Sequence, residues 1–182
     1  IPGDGIGAEV MPSALRCLEA LSRHPGLNFE FTDFPYSCEY YARHGVMMPA
    51  DGIEQLRPHD AILLGAVGYP GVPDHVSLWG LLLPIRREFG QYVNLRPVRL
   101  LRGLTSALRD RGPEDINYLV VRENNEGEYS DIGGRMYDGL PEAMAIQANV
   151  ITRKGSERIL DYAFRLAESR ARQTLAYATK SN

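Results

Sequence analysis

Cysteine is scarce in this 182-residue chain: Cys17 and Cys38 are the only two, and they form no C-x-x-C pair. With four histidines and no His-rich tract, nothing indicates a structural zinc site or a disulfide framework, and a reduced, cytoplasmic setting is the expectation. Long apolar runs are missing as well. The longest, around 78–85, falls far short of the roughly 20 residues that cross a bilayer, and no basic-plus-apolar leader precedes it. Nor does positive charge dominate. Twenty Lys and Arg against 23 Asp and Glu leave a formal charge of −3, which gives no reason to expect nucleic acid or an anionic membrane as partner. Internal repeats and low-complexity segments are absent too, so any arginine cluster has to be argued locally.

What is present is the composition of a soluble globular protein, 44% hydrophobic and 24% charged, with length for one ordinary domain or part of a two-domain protein. Ile1-Pro2-Gly3 reads as the tail of a strand, and 177–182 stops inside a functional-looking segment, so a chain cut at both ends is expected. Gly3, Gly5 and Gly7 form a glycine-rich turn, after which Val10, Ala14, Cys17, Leu18 and Leu21 recur at helical spacing. Such a turn allows a ligand close to the backbone beside a helix N-terminus; a simple tight turn is the competing reading. Strands are expected at 29–34 and 60–68, with short helices at 38–44 and 51–57 between them. Gly65, Gly68 and Gly71 imitate a dinucleotide fingerprint, but Pro70 and Pro73 stand where its helix would have to open.

A leucine-rich helix is expected from 78 to about 89, carrying Arg86 and Arg87, followed by a strand at 92–98 that contains Arg96. Arg86 and Arg96 could converge on one anion, or both could be solvated surface arginines. Residues 101–113 read as a loop, and the crossing between domains is placed near 92–97. The stretch 116–134 is the most distinctive. A buried β run, Tyr118 to Val121, ends in Arg122, Glu123 and Asn124, and Tyr129 follows seven residues after the arginine. Ligands collect beyond the carboxyl ends of strands in open α/β sheets, where an arginine can anchor a carboxylate and a phenol can move a proton. A strand running into a charged surface turn explains the same stretch without a site. Further on, a strand at 144–152, a helix with apolar face Ile159, Leu160, Ala163, Phe164 and Ala167, and a strand at 173–178 lead to Thr179-Lys180-Ser181-Asn182. The βα alternation fits a mixed α/β architecture in two lobes.

Three arginines, a tyrosine and a lysine suit a small di-acid, because the guanidinium fork matches a carboxylate in two parallel hydrogen bonds. Tyr129 and Lys180 titrate ordinarily near about 10 and 10.4; close cations would lower both, making the lysine a possible base and the tyrosine a proton relay. Asp131 and Asp138 are available to a metal, although a glycine-rich turn is their more ordinary role.

Taken together, G-D-G-I-G at 3–7, L-L-G-A-V-G at 63–68, N-L-R-P at 94–97, V-R-E-N at 121–124, G-E-Y at 127–129 and T-K-S-N at 179–182 resemble the β-decarboxylating dehydrogenase family. That family takes in the isocitrate, 3-isopropylmalate, homoisocitrate and tartrate/D-malate enzymes. The segment 72–87, with Trp79 and Arg86, is most similar to the tartrate/D-malate branch. The resemblance implies an α/β, isocitrate/isopropylmalate dehydrogenase-like two-lobed fold that is not a Rossmann fold. In it, 1–93 would be the first part of the large cofactor-side lobe and 94–182 the first part of the small dimerisation and substrate lobe.

It further implies that Arg86, Arg96 and Arg122 hold the carboxylates of a 2-hydroxy di-acid and that Tyr129 protonates the enolate after CO2 leaves. Lys180 would take the hydroxyl proton, reaching into the neighbouring subunit of a homodimer. NAD would lie near Ile6, Gly65, Gly68, Tyr69 and Asn182. A Mg2+ or Mn2+ ion would find its ligands downstream of Asn182, so no dehydrogenase activity is expected of these 182 residues alone. Departures from the family pattern are Asn125, where threonine is usual, and Ala8 and Gly90. A 3-isopropylmalate dehydrogenase and a non-catalytic regulatory subunit on the same scaffold are the alternatives.

Overall fold

In a computed structural model the chain divides into two compact units, Ile1–Phe89 and Gly90–Asn182, and residues 1–179 are described. In the first unit, α1 (Ile6–Leu21) follows the glycine turn directly and buries Gly7 and Met11. α2 (Cys38–His44) begins at Ser37, whose hydroxyl accepts the Tyr40 N–H at 3.0 Å, and ends at left-handed Gly45, φ 74°. That pairing of a serine N-cap with a glycine stop is why so short a segment is helical. α3 (Gly52–Leu56) packs Leu56 into a core with Ile1, Tyr36, Cys38, Met47, Leu81 and Ile85.

The leucine-rich helix expected at 78–89 starts earlier. It comprises α4 (Asp74–Ser77), a π-helical turn (Leu78–Leu82) and α5 (Leu83–Glu88). A π turn carries more than four residues per turn and rotates everything after it. Here it lies where Gly80 leaves room for Met47: a Cβ at Gly80 would stand 2.7 Å from the Met47 Cγ.

Two expected strands of this unit form no ladder. Segment 29–34 is extended, with Phe31 47% exposed and Phe34 packed on Tyr36. Segment 60–68 makes one parallel step onto Ile1, whose N–H donates to Leu63 O at 3.0 Å and whose carbonyl accepts from Gly65 N–H at 2.9 Å, and one further backbone bond, from Asp4 N–H to Ala66 O at 2.8 Å. Ile62, Leu64 and Val67 face the core while Leu63 is 42% exposed. The apolar run is therefore covered on one face by the described residues, not on the two that its composition suggests.

In the second unit β1 (Val93–Arg99) pairs antiparallel with β2 (Asn117–Glu123), with Asn94 opposite Arg122 and Arg96 opposite Val120. Within the run 118–121 only Leu119 and Val121 are shielded, and β2 packs on α6 (Arg153–Glu168); Tyr118 and Val120 are 51% and 42% exposed, so the run is half-buried and not buried as expected. α6 is capped by Thr152, whose Oγ1 accepts the Gly155 N–H at 2.9 Å. A hairpin of β3 (Gly133–Met136) and β4 (Met144–Gln147) is exposed along both strands. The expected strand at 144–152 thus stops at Gln147, and 173–178 carries no ladder. β3 was hidden in the sequence because two glycines open it.

Candidate active site

Side chains alternate across a strand, so Asn94 and Arg96 of β1 share one face with Arg122 of β2. On that face they are joined. Arg96 Nε donates to Asn94 Oδ1 at 2.8 Å, Asn94 Nδ2 donates to Asn124 Oδ1 at 3.3 Å, and an Arg122 Nη donates to the same Asn124 oxygen at 3.0 Å. Asn124 is 4% exposed and sends its own Nδ2 to the Gln91 carbonyl at 3.1 Å. Two guanidinium groups are thus linked through two amides. An amide can do this because its oxygen accepts from one neighbour while its nitrogen donates to the next. Arg122 Nε is buried and has no hydrogen-bond partner among the described residues.

Beyond β2 the chain turns so that the Tyr129 ring lies against the Arg122 guanidinium, 5.6 Å from carbon to ring centroid, within cation–π range. Tyr129 sits in a 3-10 turn, Glu128–Ser130, held at both ends. Gly127 N–H donates to Val150 O at 2.9 Å, Ser130 Oγ donates to Gly127 O at 2.5 Å, and the Gln147 amide donates to Glu128 O at 2.7 Å. Asp131 takes the left-handed conformation after the turn, φ 57°, and Asp138 pairs with Arg135 at 3.7 Å.

Arg96, Arg122 and Tyr129 therefore occur together in the second unit. Arg86 is half-buried in the last turn of α5 in the first unit, where its neighbour Arg87 lies over the Trp79 ring at 5.2 Å. Lys180 and Asn182 lie outside the described residues. Asn94, Asn124 and Glu126 are the residues that reading for charge overlooked. The motifs N-L-R-P and V-R-E-N contain both asparagines, and two amides each two residues from an arginine were the available signal.

The glycine turn divides its labour. Gly3 and Gly65 have no room for a Cβ against the backbone of Ala66 and Pro2, and at Gly7 a Cβ would meet Ala66 O at 2.5 Å. Those three permit backbone-to-backbone packing. Gly5 and Gly68 open on empty space, beside Ile6 and Tyr69, which are 65% and 51% exposed. Asp4, 5% exposed, ties these loops together by accepting the N–H groups of Cys38 at 2.9 Å, Glu39 at 3.1 Å and Gly68 at 3.3 Å. Three glycines follow in 65–71, yet the next helix opens only at Asp74 behind Pro73, so the dinucleotide fingerprint is not formed. Among the described residues no three His, Cys, Asp or Glu side chains gather as a metal site. No helix among them is long and apolar enough to cross a membrane.

The family model for isocitrate/isopropylmalate dehydrogenase matches residues 1–182. The D-malate dehydrogenase (decarboxylating) of Escherichia coli K12 is 56% identical over all of this chain and 51% of its own length. A tartrate dehydrogenase/decarboxylase of Pseudomonas putida is 55% identical over all of this chain and 50% of its own. The chain spans about half the length of these curated relatives. The crystal structure of an isocitrate dehydrogenase from Methylococcus capsulatus superposes with a TM-score of 0.75 at 29% identity, over 92% of this chain and 46% of that one. The isocitrate dehydrogenase-like α/β fold implied by the motifs is thus that of its structural neighbours. Matched along its whole length, the chain belongs to the isocitrate/isopropylmalate dehydrogenase family.

Proposed function

We propose that this chain carries the substrate arginines and the proton donor of a dehydrogenase that oxidises and decarboxylates tartrate or D-malate. The observation that carries the reading is the chain Arg96–Asn94–Asn124–Arg122, which ends against the Tyr129 ring. Two linked guanidinium groups on one sheet face orient a carboxylate in a way that isolated surface arginines do not. Arg86 is proposed as a third anchor. The names of the relatives favour tartrate and D-malate over 3-isopropylmalate.

NAD, when bound, accepts the hydride from C2 of the acid. Ile6, Gly65, Gly68 and Tyr69 are proposed to lie along it, and the open outward sides of Gly5 and Gly68 leave backbone accessible to a flat ligand. Asn182 is proposed beside them. Mg2+ or Mn2+ is the proposed ion; its ligands are not gathered among the described residues, and no step is derived through it. In the chemistry left to the chain, Lys180 takes the proton of the C2 hydroxyl as hydride departs. CO2 leaves from the resulting β-keto acid, and the Tyr129 phenol delivers a proton to the enolate carbon that remains. Arg122 beside the ring holds the phenol in place by its cation–π contact.

A homodimer, with Lys180 acting across it, is part of the proposal. The chain exposes 13784 Å2, whereas two separate globular units of half its mass would expose about 10,500 Å2 together. Exposed large apolar side chains include Ile132, Met136, Tyr137, Met144 and Ile146 on and around the β3–β4 hairpin. A two-stranded hairpin is marginal in water by itself, and cover from a second copy would remove that weakness.

The test is an assay of a full-length enzyme carrying these residues, with NAD and Mn2+, on D-malate, L-tartrate, 3-isopropylmalate and isocitrate. The highest kcat/KM is expected for D-malate or tartrate. A preference for 3-isopropylmalate would overturn the substrate assignment, and unchanged turnover in Tyr129→Phe and Lys180→Met would point to a regulatory subunit instead.

A further inference from the structure

In the loop between the end of β2 and the 3-10 turn that carries Tyr129, the Glu126 carboxylate is bonded to the start of α6. Glu126 Oε2 accepts the Thr152 N–H at 2.8 Å and Oε1 accepts the Thr152 hydroxyl at 2.7 Å. That hydroxyl in turn accepts the Gly155 N–H at 2.9 Å. The threonine therefore caps the helix with its oxygen while its proton goes to the glutamate. A Cβ at Gly155 would overlap the Glu126 carboxylate, so glycine there leaves room for that side chain.

Several features favour the charged form of Glu126. It lies at the N-terminus of a 16-residue helix, where the aligned peptide dipoles attract an anion. Arg158 is 4.0 Å away, although its closer partner is Glu123 at 2.8 Å. The Thr152 N–H, followed by the Thr152 hydroxyl, holds the carboxyl below the ordinary glutamate range. A second link runs from the end of β2, where Glu123 accepts the Asn125 N–H at 2.9 Å and pairs with Arg158 of α6 at 2.8 Å; the remaining bonds fix the 3-10 turn itself and its contacts with Val150 and Gln147. Glu126 is the loop's own side chain that bonds the start of the helix, through Thr152.

We propose that Glu126 is a positioning residue for Tyr129: through Thr152 it locks the 124–130 loop onto α6, so that the phenol is held against the Arg122 guanidinium. This rests on the reading of Tyr129 as the proton donor. A plain helix cap would contribute stability alone, whereas a positioning residue acts on turnover and acts through the tyrosine.

The test uses the full-length enzyme, with whichever of the four acids gives the highest kcat/KM. Glu126→Ala, Glu126→Gln, Tyr129→Phe and the double variant Glu126→Ala/Tyr129→Phe are compared for kcat, KM and Tm. Glu126→Ala is expected to lower kcat at least tenfold, with KM changed less than threefold because the arginines are untouched. Glu126→Gln keeps an acceptor for one of the two Thr152 donors and is expected to recover most of that loss; it also serves if the alanine variant does not fold. The double variant is expected to be no slower than Tyr129→Phe alone, as required when one residue acts through the other. Losses that multiply in the double variant, or a Glu126→Gln enzyme with wild-type Tm but no recovery of kcat, would overturn the proposal. Full activity in Glu126→Ala with a slow Tyr129→Phe would sink the positioning role and leave the donor standing. A fast Tyr129→Phe would sink both.

Discussion

Replacing Asn124 by alanine removes the junction on which the arginine face depends. The wild-type amide donates to Gln91 O at 3.1 Å and accepts from Arg122 at 3.0 Å and Asn94 at 3.3 Å. A neutral bond of this kind contributes about 1 kcal/mol and one to a charged group about 1.5–3 kcal/mol. The long Asn94 contact adds little, and water partly replaces the Arg122 bond at a half-buried site. The expected loss is about 2–3 kcal/mol, which for a unit of this size lowers Tm by on the order of 10 °C or more if it unfolds by itself. Asn124→Asp separates the contributions. It keeps an acceptor for Arg122 but sets a carboxylate oxygen against the Gln91 carbonyl, so it is expected to lose stability while holding the guanidinium in place. Differential scanning calorimetry, with KM for D-malate in the full-length enzyme, gives both readouts. A Tm within about 2 °C of wild type for Asn124→Ala would refute the argument, because a 4% exposed amide with three partners cannot be removed at no cost unless those bonds are not made in solution.

Three further outcomes follow from the geometry. Gly7→Ala would force a Cβ to within 2.5–2.7 Å of the Ala66 and Pro2 backbone and is expected to abolish soluble expression, while Gly5→Ala, with open space around it but at φ 49° and ψ −119°, costs about 1–3 kcal/mol of backbone strain; equal solubility of the two variants would contradict the packing role. Burial pushes the Cys38 thiol up to about 11, and its side chain is fully covered, so thiol titration at pH 8 in native conditions should modify Cys17 alone; rapid reaction of two thiols would show that core open. Because Glu126 is held below its ordinary range in the folded chain, its contribution is present above that range and is lost as the pH falls through the lowered value. Tm measured from pH 7 to pH 3 should therefore fall more steeply in wild type than in Glu126→Gln, and parallel curves would exclude the linkage.

The amphipathic segments were the easiest to read. α1, α2 and α6 carry their own start signals and apolar spacing, and Ser37, Gly45 and Thr152 act at their ends through local bonds. The β1–β2 pair was readable for a similar reason, since apolar runs ending in charge announce strand and terminus together. The strands expected at 29–34, 60–68 and 173–178 are different. A ladder depends on a neighbour supplied from elsewhere, and the described residues give segment 60–68 only its step onto Ile1 and its bonds with Asp4. β4 fell within the strand expected at 144–152, whereas β3 and its pairing with β4 escaped notice because glycines and a short period conceal a pairing that register alone creates.

Sequence by itself determined the family, and it singled out the arginines, the tyrosine and the lysine as candidates, because ordered motifs at fixed spacing survive without any knowledge of contacts. What the tertiary structure decided is how those groups are held: the amide pair joining Arg96 to Arg122, the carboxylate fastening the Tyr129 loop to α6, and the division of the glycines into packed and open ones. Each is a contact between segments separated along the chain by some 20 to 60 residues. Distances of that kind are fixed by strand register and helix placement, which residue order constrains only once the chain has folded.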